Sequence, residues 1–459
     1  MAHLRGRIAY DSSRNHARIP RSPVLLKGQV SGARAIARSP MSRALILLQY
    51  CVLSLLGSCV SLLPVSAAPA APDAPSACDA LVHQVDSVAS GPLFLASFPT
   101  VTEGPLYKAS FVYDQSVATI ALVGCGHPQQ ARRLADALLA ALDRDRHWHD
   151  GRLRNGYAAG SVPAGPIKLS GWWDKPQGKW LEDRYQVGSD VGNLAWAILA
   201  LLAVRGPEQD SPYVAGAQQI GYWIEKRRDS RGAGGFTGGT EGSEPTPAEN
   251  GWKASEHNTD LVAAFGQLAK ATGDPRWRRD ASAAARFVDA MWSPQCACFA
   301  AGTGSDGVSK NDLLALDAQI WPLLAIPGAV ARYSSAIGTV VKRLAAADGF
   351  AYSEAGTGLW TEGTAQMQLL YALLGQQSTA ESLHAAVIAE RTADGGYFAT
   401  RDASSPTGFA LASDPSLPRR YLHLSHLGAS AWAALAERQF NPFTARSALP
   451  PAPRQPQKH

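Results

Sequence analysis

The chain has 459 residues, of which 43 are basic and 38 acidic, and its formal net charge is +5. Nine of the basic residues but only one acidic residue lie in 1–43, and 44–67 carries no charge at all, so the rest of the chain is slightly acidic. The positive balance of the whole chain is therefore no argument for nucleic-acid binding, and we expect no nucleic-acid partner.

The first 67 residues have the pattern of a targeting segment. Residues 1–40 are basic and lack hydrophobic periodicity, which predicts a disordered arm or a start assigned too early. Residues 41–67 contain a short basic start, a long apolar run and small residues before position 68, as in a secretory signal. The apolar run at 44–64 is also long enough to remain as a membrane anchor. Both alternatives predict an exported protein, periplasmic or secreted, and a retained anchor would hold it at the inner membrane.

Four cysteines follow this segment: Cys78, Cys125, Cys296 and Cys298. Export would place them in an oxidising space, where a bridge between Cys78 and Cys125 can form. Cys296 and Cys298 lack a second pair of soft ligands, so the sequence predicts no zinc site.

Beyond a Pro/Ala linker at 68–76, two kinds of helical segment alternate. The first kind is amphipathic and charged, at 128–146, 210–228, 274–292, 327–346 and 379–391. The second kind is apolar or small nearly all round, at 113–123, 190–203, 256–270, 317–325, 361–375 and 425–436. A helix that is apolar on every side is buried on every side, so the segments predict six helical hairpins with one inner helix each.

A closed ring buries six such inner helices, whereas an open array would expose its end helices. A helix at 77–90 can serve as the outer partner that the last inner helix lacks. The sequence therefore predicts an all-α domain over 77–445, an (α/α)6 toroid with short loop β-hairpins on one rim. Residues 446–459 are predicted to be a disordered tail.

Polar residues cluster where each inner helix begins, and the loops before them are rich in glycine and aromatic residues. Parallel inner helices would place all six starts on one rim. The stretches 110–122, 255–265, 360–373 and 426–443 (SFVYDQSVATIAL, SEHNTDLVAAF, WTEGTAQMQLLYAL and HLGASAWAALAERQFNPF) resemble the six-hairpin glycosidase superfamily. The resemblance implies the toroid fold and an uncharacterised bacterial type of glycoside hydrolase, although the same fold also carries lyases and epimerases.

Glycoside hydrolysis needs two carboxyl groups, and four helix starts offer candidates: Asp114, Glu256, Asp317 and Glu362. Glu362 adjoins an aromatic, poorly solvated loop, which favours the protonated form that a general acid needs. We therefore predict Glu362 as the acid and Asp114 as the base, with Glu256 able to replace either. Each carboxylate also suits the first turn of a helix, so capping is the competing interpretation.

An oligo- or polysaccharide is the predicted partner, because loop tryptophans beside carboxylates suit the apolar faces of sugar rings. The predicted substrate contacts are Tyr113, Gln115, Trp173, Trp252, His257, Asn258, Asp260, Gln319, Trp360 and His426. No metal or organic cofactor is predicted. The oligomeric state is left open.

Two other functions compete with hydrolysis. A polysaccharide lyase would need a base and a group that neutralises a uronic carboxylate, for which Tyr113, His257, Asn258 and Arg184 are candidates. A non-catalytic saccharide-binding or scaffold protein of a polysaccharide export system would need neither.

Overall fold

The computed structural model describes residues 75–206, 211–411 and 414–451. The predicted basic arm, the signal or anchor and most of the linker lie outside the described residues, so their boundaries stay predictions. Among the helices in the described ranges, none is both long and apolar enough to cross a membrane.

Fourteen helices lie in the described residues. In chain order they are α1 (Ala77–Asp86), α2 (Val112–Gly124), α3 (Pro128–Arg144), α4 (Arg184–Val187), α5 (Val191–Val204), α6 (Pro212–Glu225), α7 (Ser255–Thr272), α8 (Pro275–Met291), α9 (Leu316–Ala325), α10 (Ala329–Tyr333), α11 (Ser335–Arg343), α12 (Thr361–Leu373), α13 (Gln377–Ile388) and α14 (Leu427–Glu437).

Six of these helices form a closed inner ring. Helices α2, α5, α7, α9, α12 and α14 each pack against the next, and α14 packs against α2. The outer helices α3, α6, α8, α11 and α13 each pack on an inner helix, and α1 packs on α14. The predicted ring is therefore confirmed, including the role of the first helix as the outer partner of the last inner one.

Burial follows the two sequence patterns. Every residue of α5 except Ala203 is buried, as expected for an inner helix. In the outer helix α8, Trp277, Asp280, Ala284 and Phe287 are buried at helical spacing while the other face is solvated. The outer helix predicted at 327–346 is instead two short helices, α10 and α11, which meet at Ser334.

Short antiparallel strands connect the helices. They are β1 (Leu93–Phe94), β2 (Ala109–Phe111), β3 (Gly156–Ala158), β4 (Gly160–Ser161), β5 (Trp172–Asp174), β6 (Lys179–Leu181), β7 (Ser189–Asp190), β8 (Gly239–Glu241), β9 (Ala248–Asn250), β10 (Trp292–Ser293), β11 (Cys298–Phe299), β12 (Gly302–Thr303), β13 (Lys310–Asn311), β14 (Ala345–Ala346), β15 (Gly349–Phe350), β16 (Ser404–Leu411) and β17 (Asp414–Leu422). The pairs are β1–β4, β2–β3, β5–β6, β10–β11, β12–β13, β14–β15 and β16–β17, and β7–β8–β9 form a three-stranded sheet.

A belt of main-chain pairs places the inner helix starts on one rim. The residue before each of five inner helices pairs with the loop that leads to the next inner helix. These pairs are Phe111 with Gly156, Asp190 with Gly239, Ala254 with Gly302, Ala315 with Ser353, and Trp360 with Thr400. The belt closes at Ser97, whose carbonyl oxygen accepts from the Leu427 amide and whose Oγ accepts from the Phe111 amide. The predicted common rim is therefore present.

Two disulfides lie in the described residues. Cys78–Cys125 joins α1 to the end of α2, which is the bridge that the sequence predicts. Cys296–Cys298 spans a single intervening residue at β11.

Arg154 is a fully buried ion-pair centre below the rim. Its guanidinium contacts Asp145 at 2.6 Å and Glu244 at 2.9 Å. Replacing Arg154 by Met is expected to lower the free energy of unfolding by about 3–5 kcal/mol, because it leaves the buried Asp145 carboxylate uncompensated. Urea unfolding measures the loss. Arg184→Met is the matched control, since Arg184 is 60% exposed in its pair with Glu241, and it should cost about 1 kcal/mol or less.

Candidate functional site at the rim of the ring

One buried cluster joins α2, α12 and α14 at the centre of the rim. The His426 ring lies 3.3 Å from Asp114 through Nε2 and 3.3 Å from Glu362 through Nδ1. All three side chains are buried. Gly428 is required beside them, because a Cβ there would lie 2.8 Å from Asp114 Oδ1 and 3.2 Å from Glu362 Oε2. We call Asp114, His426 and Glu362 the histidine cluster.

The charge state of His426 follows from this position. Burial lowers the pKa of an imidazole, but the Asp114 and Glu362 carboxylates outweigh that effect and raise the pKa of His426 to about 10. His426 is therefore an imidazolium at neutral pH, where it compensates the negative charge of the two carboxylates. Phe98 stacks on the same ring, with centroids 4.7 Å apart.

Aromatic side chains form a floor beneath the histidine cluster. The Tyr113 hydroxyl donates to Glu362 Oε2 at 3.2 Å and accepts from Trp432 Nε1 at 2.7 Å. Trp196 and Trp321, from α5 and α9, lie edge to face 5.5 Å apart. Trp196 also contacts Tyr113, with centroids 5.4 Å apart. The centre of the ring is thus packed below and polar above.

A second group of acids comes from α7 and α9. Glu256 and Asp317 lie within hydrogen-bond reach of each other. Burial raises the pKa of Asp317 well above its usual range, and the nearby charge of Glu256 raises it further. Burial, with the charges of Glu256 and Asp317, also raises the pKa of Asp260. Glu256 keeps 22% of its side chain exposed, so this group reaches solvent. We call Glu256, Asp260 and Asp317 the acidic cluster.

A further buried acid, Asp190, lies at the start of α5. Burial raises the pKa of Asp190 to about 7, although the charge of Arg419 and a hydrogen bond with Asn155 act in the opposite direction. The neighbouring Asn193 amide donates to the Tyr185 hydroxyl at 3.2 Å. Three inner helices that are consecutive in the ring, α5, α7 and α9, thus present acids to its centre.

Three solved structures that the chain resembles are carbohydrate enzymes. A glycosidase variant in complex with glucose has a TM-score of 0.51 at 12% identity, over 79% of this chain and 96% of the other. A cellobiose 2-epimerase from Spirochaeta thermophila has a TM-score of 0.52 at 12% identity, over 78% and 93%. An alpha-amylase from Clostridium perfringens has a TM-score of 0.53 at 10% identity, over 79% and 98%.

The chain has the six-hairpin toroid fold. The sequence-based resemblance to this fold is confirmed, and at such low identity the likeness extends to the fold alone. No protein-family model matches the sequence, and no curated protein matches it significantly.

Three predicted substrate contacts of the toroid hold loops in place. Gln115, Asn258 and Gln319 each occupy the fourth position of an inner helix and are completely buried. Their amides pair with main-chain atoms of neighbouring loops: Gln115 with Leu93 and Leu95, Asn258 with Phe236, and Gln319 with Phe299. These side chains support the rim from below, and we include none of them among the proposed substrate contacts.

The predicted aromatic contacts of the toroid occupy different places. Trp252 packs near His257, with ring centroids 5.5 Å apart, and both retain some exposure. Burial lowers the pKa of His257, and only glycine at position 192 leaves room for its ring. Trp360 is buried at the start of α12. Trp173 is 59% exposed on the β5–β6 hairpin.

Two groups proposed for a lyase are engaged elsewhere in the toroid. Arg184 is exposed and pairs with Glu241, and the Asn258 amide holds Phe236. Within the part of the chain that the structure describes, no three His, Cys, Asp or Glu side chains are grouped as metal ligands would be.

Sequence reasoning missed Arg419 and Tyr421, which the β16–β17 hairpin brings to the rim. The Tyr421 ring lies 5.3 Å from Trp360 and 5.6 Å from Tyr352. The only signal was that 414–422 follows no helical pattern and lies between the last two helical hairpins, although it does not alternate as a half-buried strand would.

Proposed function

We propose that the toroid is a glycoside hydrolase that acts on an oligo- or polysaccharide at the centre of the rim. The observation that carries the proposal is the arrangement of carboxyl groups in two clusters, with different environments, on two halves of one ring. Helices α2, α12 and α14 contribute the histidine cluster, whereas α7 and α9 contribute the acidic cluster. Carboxyl groups in contrasting environments are what a two-carboxylate mechanism requires. The glycosidase and the alpha-amylase among the structural neighbours support this class of reaction.

Asp317 is the general acid in this proposal. Burial raises the pKa of Asp317 well above its usual range, which favours the protonated carboxyl group that can donate a proton to the leaving oxygen of a glycosidic bond. Glu256 lies within hydrogen-bond reach of Asp317. Its negative charge favours the protonated form of Asp317.

Glu362 supplies the second carboxylate and acts as the base for the attacking water. It receives a hydrogen bond from Tyr113 and lies beside the His426 cation, and both interactions compensate a negative charge. The sequence-based pairing of Glu362 as acid with Asp114 as base is revised here. The two carboxylates lie on the same side of the ring, each in contact with the His426 ring, so no substrate can pass between them.

Export remains part of the proposal. Disulfides persist in oxidising compartments, and the Cys78–Cys125 bridge is compatible with one. The segment that would direct export, 41–67, lies outside the described residues.

The proposal is tested by incubating the protein with a panel of neutral and acidic polysaccharides. Hydrolysis is expected to release reducing ends without a new ultraviolet absorbance. Products that absorb at a new double bond would instead identify a lyase. Affinity without turnover on every member of the panel would identify a binding protein and contradict the proposal.

The pH dependence of turnover gives an independent prediction. Asp317 must be protonated to act, and it is protonated below its raised pKa. Turnover is therefore expected to persist above about pH 4, where an ordinary aspartate ionises, and to fall as the pH rises through the raised pKa of Asp317. Initial rates measured across the pH range show where turnover falls. If turnover instead falls as soon as the pH exceeds about 4, where an ordinary aspartate ionises, Asp317 is not the acid.

A further inference from the structure

The β16–β17 hairpin is fixed against the rim by several contacts. Ser353 Oγ donates to the Thr407 carbonyl oxygen at 2.8 Å. Gly408 lies against Leu313, where a Cβ would come within 2.9 Å of the leucine side chain. Tyr421 packs on Trp360 at the start of α12. The hairpin is therefore held at the entrance to the ring and does not project freely into solvent.

Strand geometry separates the two neighbouring arginines of β17. Side chains alternate between the two faces of a strand, so Arg419 shares a face with Tyr421 and Arg420 has the other face. Tyr421 contacts Trp360 and Tyr352, which identifies its face as the one toward the ring. Arg420 instead donates to Ser404 Oγ of the paired strand at 2.6 Å. Arg419 therefore extends over the centre of the rim.

Electrostatic interactions agree with this orientation. The charge of Arg419 acts on Asp190, His257 and Asp317, at the starts of α5, α7 and α9. It also acts on the hydroxyl groups of Tyr185 and Tyr352. A single side chain that influences all of these groups lies above the middle of the ring.

The hydrogen-bond donors of the Arg419 guanidinium are not used by any residue that the structure describes. The guanidinium makes no ion pair or hydrogen bond with any other described residue, and the side chain is exposed. The charge of Glu256 acts on Arg419 without a direct contact, and burial raises the pKa of Asp190 and Asp317, the other two acids on which Arg419 acts. The entrance thus holds a planar cation whose donors can form hydrogen bonds with an anion.

We propose that Arg419 binds the carboxylate of a uronic acid residue, so that the substrate of the toroid is an acidic saccharide. The inference rests on the proposed function, since it names the substrate class of the same site. A guanidinium matches a carboxylate with two parallel hydrogen bonds, which makes arginine selective for this group. Tyr421, on the same face of β17, provides an aromatic surface beside it for the sugar ring.

The test compares oligosaccharides of glucuronic, galacturonic and mannuronic acid with their carboxyl-reduced counterparts. The wild-type protein is expected to bind at least one acidic oligosaccharide about 10- to 100-fold more tightly than its reduced counterpart, as a charge-assisted contact predicts. Arg419→Met should abolish this preference. Arg419→Lys should restore part of it, because a lysine keeps the charge but not the paired geometry. Arg420→Met is the matched control and should behave as the wild type.

Titration calorimetry reads binding without requiring turnover, so the two proposals fail separately. If the protein binds acidic oligosaccharides through Arg419 but hydrolyses nothing, the proposed hydrolase activity fails while this inference stands. If it hydrolyses neutral saccharides and binds no acidic oligosaccharide more tightly than the reduced form, this inference fails while the hydrolase stands. Equal losses for acidic and reduced ligands in Arg419→Met would also overturn it, because they would show a merely structural role.

Discussion

Replacing Asp317 by Asn is expected to lower kcat/KM on a natural glycoside by about 10²- to 10⁴-fold, the range that a general acid contributes. The amide keeps the shape of the side chain but cannot donate the acid's proton. The buried setting of Asp317 suits this substitution, since burial already disfavours the charged carboxylate and the amide adds no charge to the site. The measurement is the initial rate of reducing-end release.

A change of leaving group separates the role of Asp317 from that of Glu362. The nitrophenolate group of a nitrophenyl glycoside is a good leaving group that departs without being protonated. Asp317→Asn should therefore retain much of its activity on that substrate. Glu362→Gln should lose activity on both substrates, because the attacking water still needs a base. Asp143→Asn is the control, since Asp143 is an exposed acid on the outer helix α3. Equal losses for Asp317→Asn on both substrates would contradict its role as the acid.

Replacing His426 by Gln is expected to lower the free energy of unfolding by about 3–5 kcal/mol near neutral pH. The substitution removes the cation from between Asp114 and Glu362, and leaving buried charges uncompensated has a cost of this size. Urea unfolding of the two proteins at several pH values measures the difference. His423→Gln is the matched control, because His423 is an exposed histidine of the same rim and should cost about 1 kcal/mol or less.

The pH dependence of that difference has a defined sign. The pKa of His426 is raised to about 10 in the folded state, whereas an unfolded histidine has a pKa of about 6.5. Its stabilising contribution is therefore fully present below about pH 6.5 and is lost as the pH rises through about 10. The gap between wild type and His426→Gln should shrink over that interval. A gap that is constant from pH 6 to 10 would show that His426 stabilises by packing alone.

The ring was predictable because the composition of each helix indicates which of its faces are buried. An inner helix such as α5 has no solvated face, so its place in the fold follows from its residues alone. The partner of the last inner helix was also predictable, since 77–90 was the one remaining amphipathic segment near the start of the ring. The division of 327–346 into two helices could not be predicted. The residue between them, Ser334, has helical backbone angles, so no helix-breaking residue marks the division.

The candidate site was predictable as a set of residues but not as a set of contacts. Asp114 and Glu362 are far apart in the sequence, and nothing local indicates that His426 lies between them. Gln115 and Gln319 had the composition of substrate contacts, but buried loop backbone requires the same amides. Arg419 was missed because its position depends on where a hairpin packs, which the hairpin's own residues do not specify.

The most direct measurement is a crystal structure of the Asp317→Asn variant with an acidic oligosaccharide that the wild type hydrolyses. We predict a glycosidic oxygen beside residue 317, an anomeric carbon facing Glu362, and a uronic carboxylate paired with the Arg419 guanidinium. A saccharide bound away from the rim, or at the rim with no glycosidic bond between residue 317 and Glu362, would contradict the account.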